Sequence, residues 1–292
     1  MNNEISAAPV ITFAAFDLDG TLLDADGRLP SAVDDSLIGL RAGGITPLLV
    51  TGRTVRSMLE LDPDHTVLSG LANQLLLADG CVVLDRSTHT VTNLLEVPRQ
   101  AVALLLRAGV DEFVVDTGTD LRASSRRAAL SYARAYALPR DAIDIGLESF
   151  WPVTGITVFD QPAKVAEALA GVPHDTDAIG PFDALLIKPR GACKATGLAA
   201  YLARCRPTID LDSVIAFGDA YNDGCLLGSS ALGVAVRGAD ETACRCADIR
   251  LRQPLAAFLA DLTPVGIAAL RLRFRRNDIA RGRPCFGGHR RP

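Results

Sequence analysis

The chain has 292 residues, of which 49% are hydrophobic and 22% are charged. This length and this balance are typical of globular proteins that bury one large core or two smaller ones. No apolar run reaches the roughly 18 residues that a membrane-spanning helix needs. The N-terminal residues Met1–Pro9 lack the basic start and the long apolar stretch of a secretory signal. The composition therefore excludes a membrane-spanning protein and predicts a cytoplasmic one.

The charge is unevenly distributed along the chain. Residues 271–292 contain eight arginines and one aspartate, which gives this segment a net charge of +7. Because the whole chain has a net charge of −4, the other 270 residues carry −11. A basic terminus can contact a nucleic acid or an anionic surface, but this one contains no recognisable nucleic-acid-binding module. We therefore expect a basic tail, residues 266–292, that is disordered as many termini are, with nucleic acid left as an alternative partner of the tail alone.

Short apolar runs bounded by turn residues recur along the chain and predict buried strands. In chain order these runs are Val10–Phe16, Thr46–Val50, Leu75–Leu77, Ile156–Phe159, Ala184–Ile187 and Val214–Phe217. Helical periodicity marks segments between several of them, among them Ala32–Ala42, which ends at two glycines, and Ala195–Cys205. This alternation predicts an α/β fold with a mainly parallel sheet.

The pattern changes in the middle of the chain. Cys81–Val97 consists of two extended arms about a polar turn, which predicts a hairpin. Helix-like and strand-like segments follow it: Arg99–Ala108, Phe113–Asp116, Ser124–Ala137, Pro162–Ala170 and Phe182–Ile187. We interpret this block as an α+β domain inserted into the first one. The predicted boundaries are 10–79 and 190–265 for the two parts of the core and 80–189 for the insertion.

Two of the predicted strands end in clusters of aspartates. The first strand leads directly into Asp17-Leu18-Asp19-Gly20-Thr21, and Val214–Phe217 leads into Gly218-Asp219-Ala220-Tyr221-Asn222-Asp223. Ligands of open parallel sheets bind beyond the carboxyl ends of the strands. Asp219 and Asp223 are four residues apart, so they can face one way if the turn opens into a helix. Oxygen-only donors at such positions suit a hard cation such as magnesium.

Two further positions are candidates for binding an anion. Leu48-Leu49-Val50 ends in Thr51-Gly52-Arg53, which places a hydroxyl group at a strand tip. Lys194 lies just before the predicted helix Ala195–Cys205, and lysine occurs only three times in the chain. A lysine ammonium is a compact point charge that suits a phosphate group.

Taken together and in this order, the strings around Asp17, Thr51, Lys194 and Asp219 resemble the four motifs of the haloacid dehalogenase (HAD) superfamily of phosphohydrolases, and within it the Cof-type group. The resemblance covers about residues 10–250 and implies a Rossmann-like parallel-sheet core with an inserted α+β cap domain. Asp17 and Thr51 are 34 residues apart, whereas Thr51 and Lys194 are 143 apart. The cap is therefore expected between the second and third motifs, where it would close over the site and contact the substrate beyond its phosphate.

The resemblance also implies roles for the motif residues. Asp17 is expected to be the nucleophile that forms an aspartyl-phosphate, and Asp19 the general acid and base. The expected magnesium ligands are the Asp17 carboxylate, the Asp19 backbone carbonyl and Asp219, supported by Asp223. The expected phosphate-binding residues are Thr51, Gly52, Lys194 and Asn222. The implied substrate is a small phosphorylated metabolite, a sugar or polyol phosphate.

The chain departs from the Cof-type pattern at one point and leaves two functional alternatives open. Cof-like proteins commonly carry Asn-Gly-Ala where the chain enters the cap, and this chain carries Asp79-Gly80-Cys81. We interpret Asp79 as a turn substitution; a contact with the leaving group would instead alter the charge preference. The first alternative function is a phosphomutase of the phosphomannomutase-like type. The second is a non-catalytic protein that binds a phospholigand on the same scaffold.

Overall fold

The structure, a computed structural model, describes residues 10–63, 67–148, 151–159, 161–180, 183–262 and 266. The predicted basic tail, residues 266–292, lies outside these ranges except for Gly266. Among the described residues, no helix has both the length and the apolar character that a membrane crossing requires.

Strands and helices alternate along much of the described chain. The strands are β1 (Phe13–Phe16), β2 (Thr46–Val50), β3 (Gln74–Leu77), β4 (Val82–Asp85), β5 (Thr90–Asn93), β6 (Phe113–Asp116), β7 (Leu121–Ala123), β8 (Asp144–Ile145), β9 (Gly155–Val158), β10 (His174–Ile179), β11 (Ala184–Pro189), β12 (Val214–Gly218), β13 (Leu232–Ala235) and β14 (Ile249–Arg250). The helices are α1 (Ser31–Ala42), α2 (Val55–Leu61), α3 (Gln100–Arg107), α4 (Arg126–Ala135), α5 (Pro162–Ala168), α6 (Lys194–Cys205), α7 (Gly224–Ser229), α8 (Glu241–Cys246) and α9 (Leu255–Ala260).

The chain divides into two compact units. Among the described residues, the first comprises those up to Val50, the short segment Leu68–Ala72 and those from Leu198 onward. The second comprises Thr51–Val67 and Asn73–Gly197, so most of it is inserted between the two long parts of the first. The boundary at Gly197 falls within α6.

A parallel sheet forms the centre of the first unit. Its strands lie in the order β14-β13-β12-β1-β2, and each neighbouring pair is parallel. After β1 the chain forms β2 on one side of β1, and much later it forms β12 on the other side of β1. The sheet therefore has a topological switch point between β1 and β12, which is where ligands of open α/β sheets bind.

The three central strands β1, β12 and β13 are apolar along their whole length, as expected for strands of a parallel sheet that are buried on both faces. All residues of β1, β12 and β13 are buried. Helix α1 buries Val33, Leu37 and Leu40 and packs beside α9. The spacing of these three residues places them on one face of the helix. Burial of an apolar side chain of this size contributes about 1.5–3 kcal/mol.

The second unit contains an antiparallel meander and a separate six-stranded sheet. The meander is β3-β4-β5, in which β3 pairs with β4 and β4 with β5. The hairpin predicted over Cys81–Val97 is thus present. The larger sheet has the order β10-β11-β9-β6-β7-β8 and is antiparallel except for the parallel pair β7–β8.

Both faces of the six-stranded sheet are covered by helices. Successive residues of a strand point to opposite faces, and β6 follows this rule. Phe113 and Val115 belong to a core that includes residues of α3 and α5, whereas Val114 belongs to one that includes residues of α4. The predicted α/β fold, with a parallel-sheet core and an inserted α+β layer, is confirmed. The domain boundaries at 79, 189 and 265 stay a prediction.

Candidate active site

Strands β1 and β12 end side by side at the switch point of the first unit. Phe16 is in register with Phe217, and their rings stack with centroids 4.6 Å apart and planes 8° apart. One residue farther on, the N–H of Asp17 donates to the carbonyl of Phe217 at 3.0 Å. The parallel pairing therefore brings the residues that follow β1 next to those that follow β12, although about 200 residues separate them in sequence.

Three carboxylates meet at this edge of the sheet. Asp17, Asp219 and Asp223 each offer one carboxylate oxygen within 4.8 Å of the others. Asp17 is 5% exposed and Asp223 is fully buried. Like charges this close destabilise one another unless a cation or a proton neutralises them. The donor set, made of oxygen atoms alone, fits a hard divalent cation.

Asp223 also fixes the backbone that carries Asp219. Its Oδ2 atom accepts the N–H of Asp219 at 2.9 Å and that of Ala220 at 3.0 Å. A single-turn helix, Tyr221–Asp223, brings the Asp223 side chain back over this loop. At Gly218 an added Cβ would lie 2.5 Å from the Asp223 Cβ, so only glycine allows the close approach. The predicted helical turn is therefore present, and it brings Asp219 and Asp223 together.

The loop after β1 is shaped around Asp219. Gly20 has a φ of +79°, and a Cβ there would lie 2.4 Å from the Asp219 Oδ2 atom. The Thr21 hydroxyl donates to the Asp219 Oδ1 atom at 3.1 Å. The N–H groups of Leu22 and Leu23 both donate to the carbonyl of Leu18 at 2.9 Å, which closes the turn. Sequence reasoning assigned Thr21 no role, because the motif string gives no sign of which carboxylate its hydroxyl contacts.

Two other predicted residues lie in the same loops. Asp19 is exposed and follows the buried Leu18. Asn222 is half-buried in the turn between Asp219 and Asp223. An exposed carboxyl suits a group that exchanges protons with a leaving group or with water.

Thr51 and Gly52 belong to the second unit. Thr51 follows β2 and is 1% exposed; its N–H donates to the carbonyl of Leu76 at 2.9 Å. Its hydroxyl accepts the N–H of Arg53 at 3.2 Å, so the loop turns back on itself around the exposed Gly52.

Lys194 also belongs to the second unit and is the first residue of α6. Its side chain is fully buried, which is rare for lysine and requires compensation of the ammonium charge. The preceding loop is held by Thr196, whose hydroxyl accepts the N–H of Cys193 at 2.9 Å and donates to the carbonyl of Gly191 at 2.8 Å.

Several ionisable groups of the second unit have shifted pKa values. Burial, followed by the charges of Asp79 and Asp116, raises the pKa of the Cys81 thiol, which favours its protonated form. Burial also raises the pKa of Asp116 to about 6, against a hydrogen bond from the Gly118 N–H. Burial opposes ionisation of Lys188, but its hydrogen bond with Asp177, together with the charges of Asp177 and Asp79, raises its pKa overall.

The chain matches the family model for haloacid dehalogenase-like hydrolases over residues 14–114 and 153–253. No curated protein sequence matches the chain significantly. Many solved structures share its fold.

Three of these structures illustrate the similarity. A haloacid dehalogenase-like hydrolase from Bacteroides thetaiotaomicron is 20% identical with a TM-score of 0.68, over 86% of this chain and 99% of that one. A HAD phosphatase from the same organism is 17% identical with a TM-score of 0.66, over 86% and 95%. A sugar phosphatase of HAD subclass IIB is 19% identical with a TM-score of 0.61, over 92% and 99%.

The family match spans more than half of the chain and includes the β1 and β12 loops that form the carboxylate cluster. The resemblance to HAD hydrolases of the Cof type and the predicted enzyme class, a phosphatase, are thereby confirmed. The chain belongs to the haloacid dehalogenase-like hydrolases, of the Cof type.

Proposed function

We propose that the chain is a magnesium-dependent phosphomonoester hydrolase that acts through an aspartyl-phosphate on Asp17. The observation that carries this proposal is the meeting of Asp17, Asp219 and Asp223 at the switch point of the parallel sheet, with one oxygen of each within 4.8 Å of the others. The likeness to a HAD phosphatase and to a subclass IIB sugar phosphatase supports it.

The proposed metal ligands are the Asp17 carboxylate, the Asp19 backbone carbonyl and the Asp219 carboxylate, with Asp223 in support. A bound Mg²⁺ supplies positive charge that offsets the charge of the phosphoryl oxygens. Asp223 holds the Asp219 backbone through two N–H groups. Thr21 restrains the Asp219 side chain. These contacts limit the number of positions that the ligand oxygens can take.

In the proposed reaction Asp17 attacks the phosphorus atom. A bond forms from its carboxylate oxygen to phosphorus, while the bond from phosphorus to the leaving oxygen breaks. Asp19 gives its proton to that oxygen and then takes a proton from a water molecule. The water oxygen attacks phosphorus, releases inorganic phosphate and restores the Asp17 carboxylate. The exposure of Asp19 is compatible with both proton transfers.

Thr51, Gly52, Lys194 and Asn222 are the proposed phosphate-binding residues. A buried hydroxyl and a buried ammonium are suitable donors, since hydrogen bonds to a charged oxygen gain strength where water is excluded. The proposed substrate is a small sugar or polyol phosphate, and the likeness to a subclass IIB sugar phosphatase supports this class. A cytoplasmic location stays a prediction.

The test is a phosphate-release assay on the purified protein with Mg²⁺, over sugar, polyol, nucleotide and cofactor phosphates. Asp17→Asn is expected to abolish turnover, whereas Asp26→Asn, at an exposed aspartate of the next turn, is expected to leave it unchanged. Borohydride trapping should label Asp17 in the unaltered enzyme. Turnover retained by Asp17→Asn would overturn the mechanism.

The same assay separates the two alternatives. A phosphomutase would interconvert phosphate esters without releasing inorganic phosphate in proportion to the substrate consumed. A binding protein would release none from any compound, with or without Mg²⁺. Either result would replace the hydrolase proposal.

A further inference from the structure

The turn between β3 and β4 has a backbone conformation that its sequence does not favour. Ala78, Asp79 and Gly80 have φ values of +50°, +54° and +84°. Glycine adopts this left-handed region freely and aspartate tolerates it, but the Cβ of alanine clashes there. A strained conformation of this kind persists only where surrounding contacts impose it. The contacts of this turn therefore indicate what it does.

On one side the turn holds the loop that follows β2. The N–H of Ala78 donates to the carbonyl of Arg53 at 2.8 Å, and the N–H of Asp79 donates to that of Thr51 at 3.0 Å. The two carbonyls flank Gly52. The left-handed backbone thus directs two successive N–H groups at the two ends of the same three-residue loop, Thr51–Arg53.

On the other side the turn packs against the start of α6. A Cβ on Gly80 would lie 2.7 Å from the Gly197 Cα, and a Cβ on Gly197 would lie 2.4 Å from the Gly80 Cα. The two backbones are therefore in direct contact, with no room for a side chain on either. The N–H of Gly197 donates to the carbonyl of Cys193 at 2.9 Å, so this contact bears on the helical turn that contains Lys194.

We propose that the Ala78–Gly80 turn is a positioning element that sets Thr51 and Lys194 at a fixed spacing for the phosphoryl group. The turn contacts the Thr51 loop through hydrogen bonds and the Lys194 turn through backbone packing. The inference rests on the proposed function, because that function assigns both residues to phosphate. It explains why a helix-destabilising glycine occupies position 197 and why Ala78 is held in a strained conformation.

The first test compares two glycine substitutions within helices. Gly197→Ala introduces a methyl group that collides with the Gly80 backbone, whereas Gly39→Ala in α1 meets no atom within 4 Å. We expect Gly197→Ala to raise KM and the inhibition constant of inorganic phosphate about tenfold or more, with a smaller fall in kcat. Gly39→Ala should change neither. A Gly197→Ala enzyme whose phosphate affinity stays within about twofold of the unaltered one would overturn the proposal.

A second pair of variants applies if Gly197→Ala does not fold. Ala78→Val places a β-branched residue where φ is positive, which is costly, and Ala78→Gly removes the strain. We expect Ala78→Val to raise KM for phosphate esters and Ala78→Gly to keep the original KM. Equal KM values for the two variants would contradict the positioning role.

Hydrogen exchange separates failure of this inference from failure of the proposed function. If the unaltered protein neither hydrolyses phosphate esters nor binds inorganic phosphate, the proposed function fails. Faster amide exchange at both 51–53 and 193–197 in Ala78→Val, but not in Ala78→Gly, would still support the positioning contacts. Unchanged exchange in both segments would overturn them.

Discussion

At the scale of single residues, Gly20 determines whether the loop after β1 can approach Asp219. Gly20 and Gly27 both have positive φ, +79° and +73°, but only at Gly20 would a Cβ collide with another group, the Asp219 carboxylate. We expect Gly20→Ala to lower kcat and weaken Mg²⁺ binding by an order of magnitude or more, because a displacement of about 1 Å at such a site costs roughly a hundredfold. Steady-state kinetics as a function of Mg²⁺ concentration measure both effects.

Gly27→Ala is the matched control. It imposes the same unfavourable φ without the collision, since no atom lies within 4 Å of the added Cβ. We expect a loss of about 1–2 kcal/mol of stability with unchanged Mg²⁺ affinity. If both variants lose Mg²⁺ affinity equally, backbone strain rather than contact with Asp219 explains the effect.

The residues of the carboxylate cluster could be predicted, but several residues that hold them could not. Asp17, Asp219 and Asp223 stand out in sequence because they follow apolar strands in short polar strings. The contact of Thr21 with Asp219 depends on which strand lies beside β1. The contact of Gly80 with Gly197 depends on the packing of a hairpin turn against a helix, and no local pattern encodes it.

At the scale of elements, β10 and β11 are joined by an ion pair as well as by backbone hydrogen bonds. Lys188 of β11 pairs with Asp177 of β10, and their side chains are 16% and 33% exposed. We expect Asp177→Asn to lower the free energy of unfolding by about 1–3 kcal/mol, because it removes the carboxylate that pairs with a largely buried ammonium. Urea unfolding measures the change.

An exposed pair in the first unit provides the comparison. Arg245 and Glu241 form an i,i+4 ion pair within α8 and are 62% and 84% exposed, so Glu241→Gln should cost no more than about 0.5 kcal/mol. In the second unit, the double substitution Asp177→Asn with Lys188→Met should recover part of the loss. An Asp177→Asn effect no larger than that of Glu241→Gln would exclude a stabilising role for the pair.

Elements whose own sequences have a regular pattern of buried apolar residues were predictable. Strands that depend on hydrogen bonds to a neighbouring strand were not. Strand β2 and helix α1 follow their apolar residues closely. Strand β10, HDTDAI, has no buried residue, and its only recorded partner among the described strands is β11, at the edge of the sheet. Strand β8 consists of two exposed residues. These strands exist because a neighbour offers hydrogen bonds, and their own sequences carry no signal of it.

At the scale of the whole molecule, metal binding is expected to raise stability. A ligand that binds only the folded state stabilises it by about 2.7 kcal/mol at a concentration about a hundredfold above its Kd. We expect Mg²⁺ to raise the thermal unfolding temperature of the unaltered protein and of Asp35→Asn, an exposed aspartate in α1. Asp219→Asn should lose this increase. Equal increases in all three proteins would place the metal elsewhere.

The position of the insertion has a consequence for synthesis of the chain. Strand β1 leaves the ribosome about 200 residues before β12, the neighbour with which it pairs. At about 5–20 residues per second, this delay is on the order of 10–40 s. During this time β1 lacks its partner β12, while strands β3 to β11 emerge. We therefore expect the nascent chain to acquire protease resistance first in the inserted unit and later around β1.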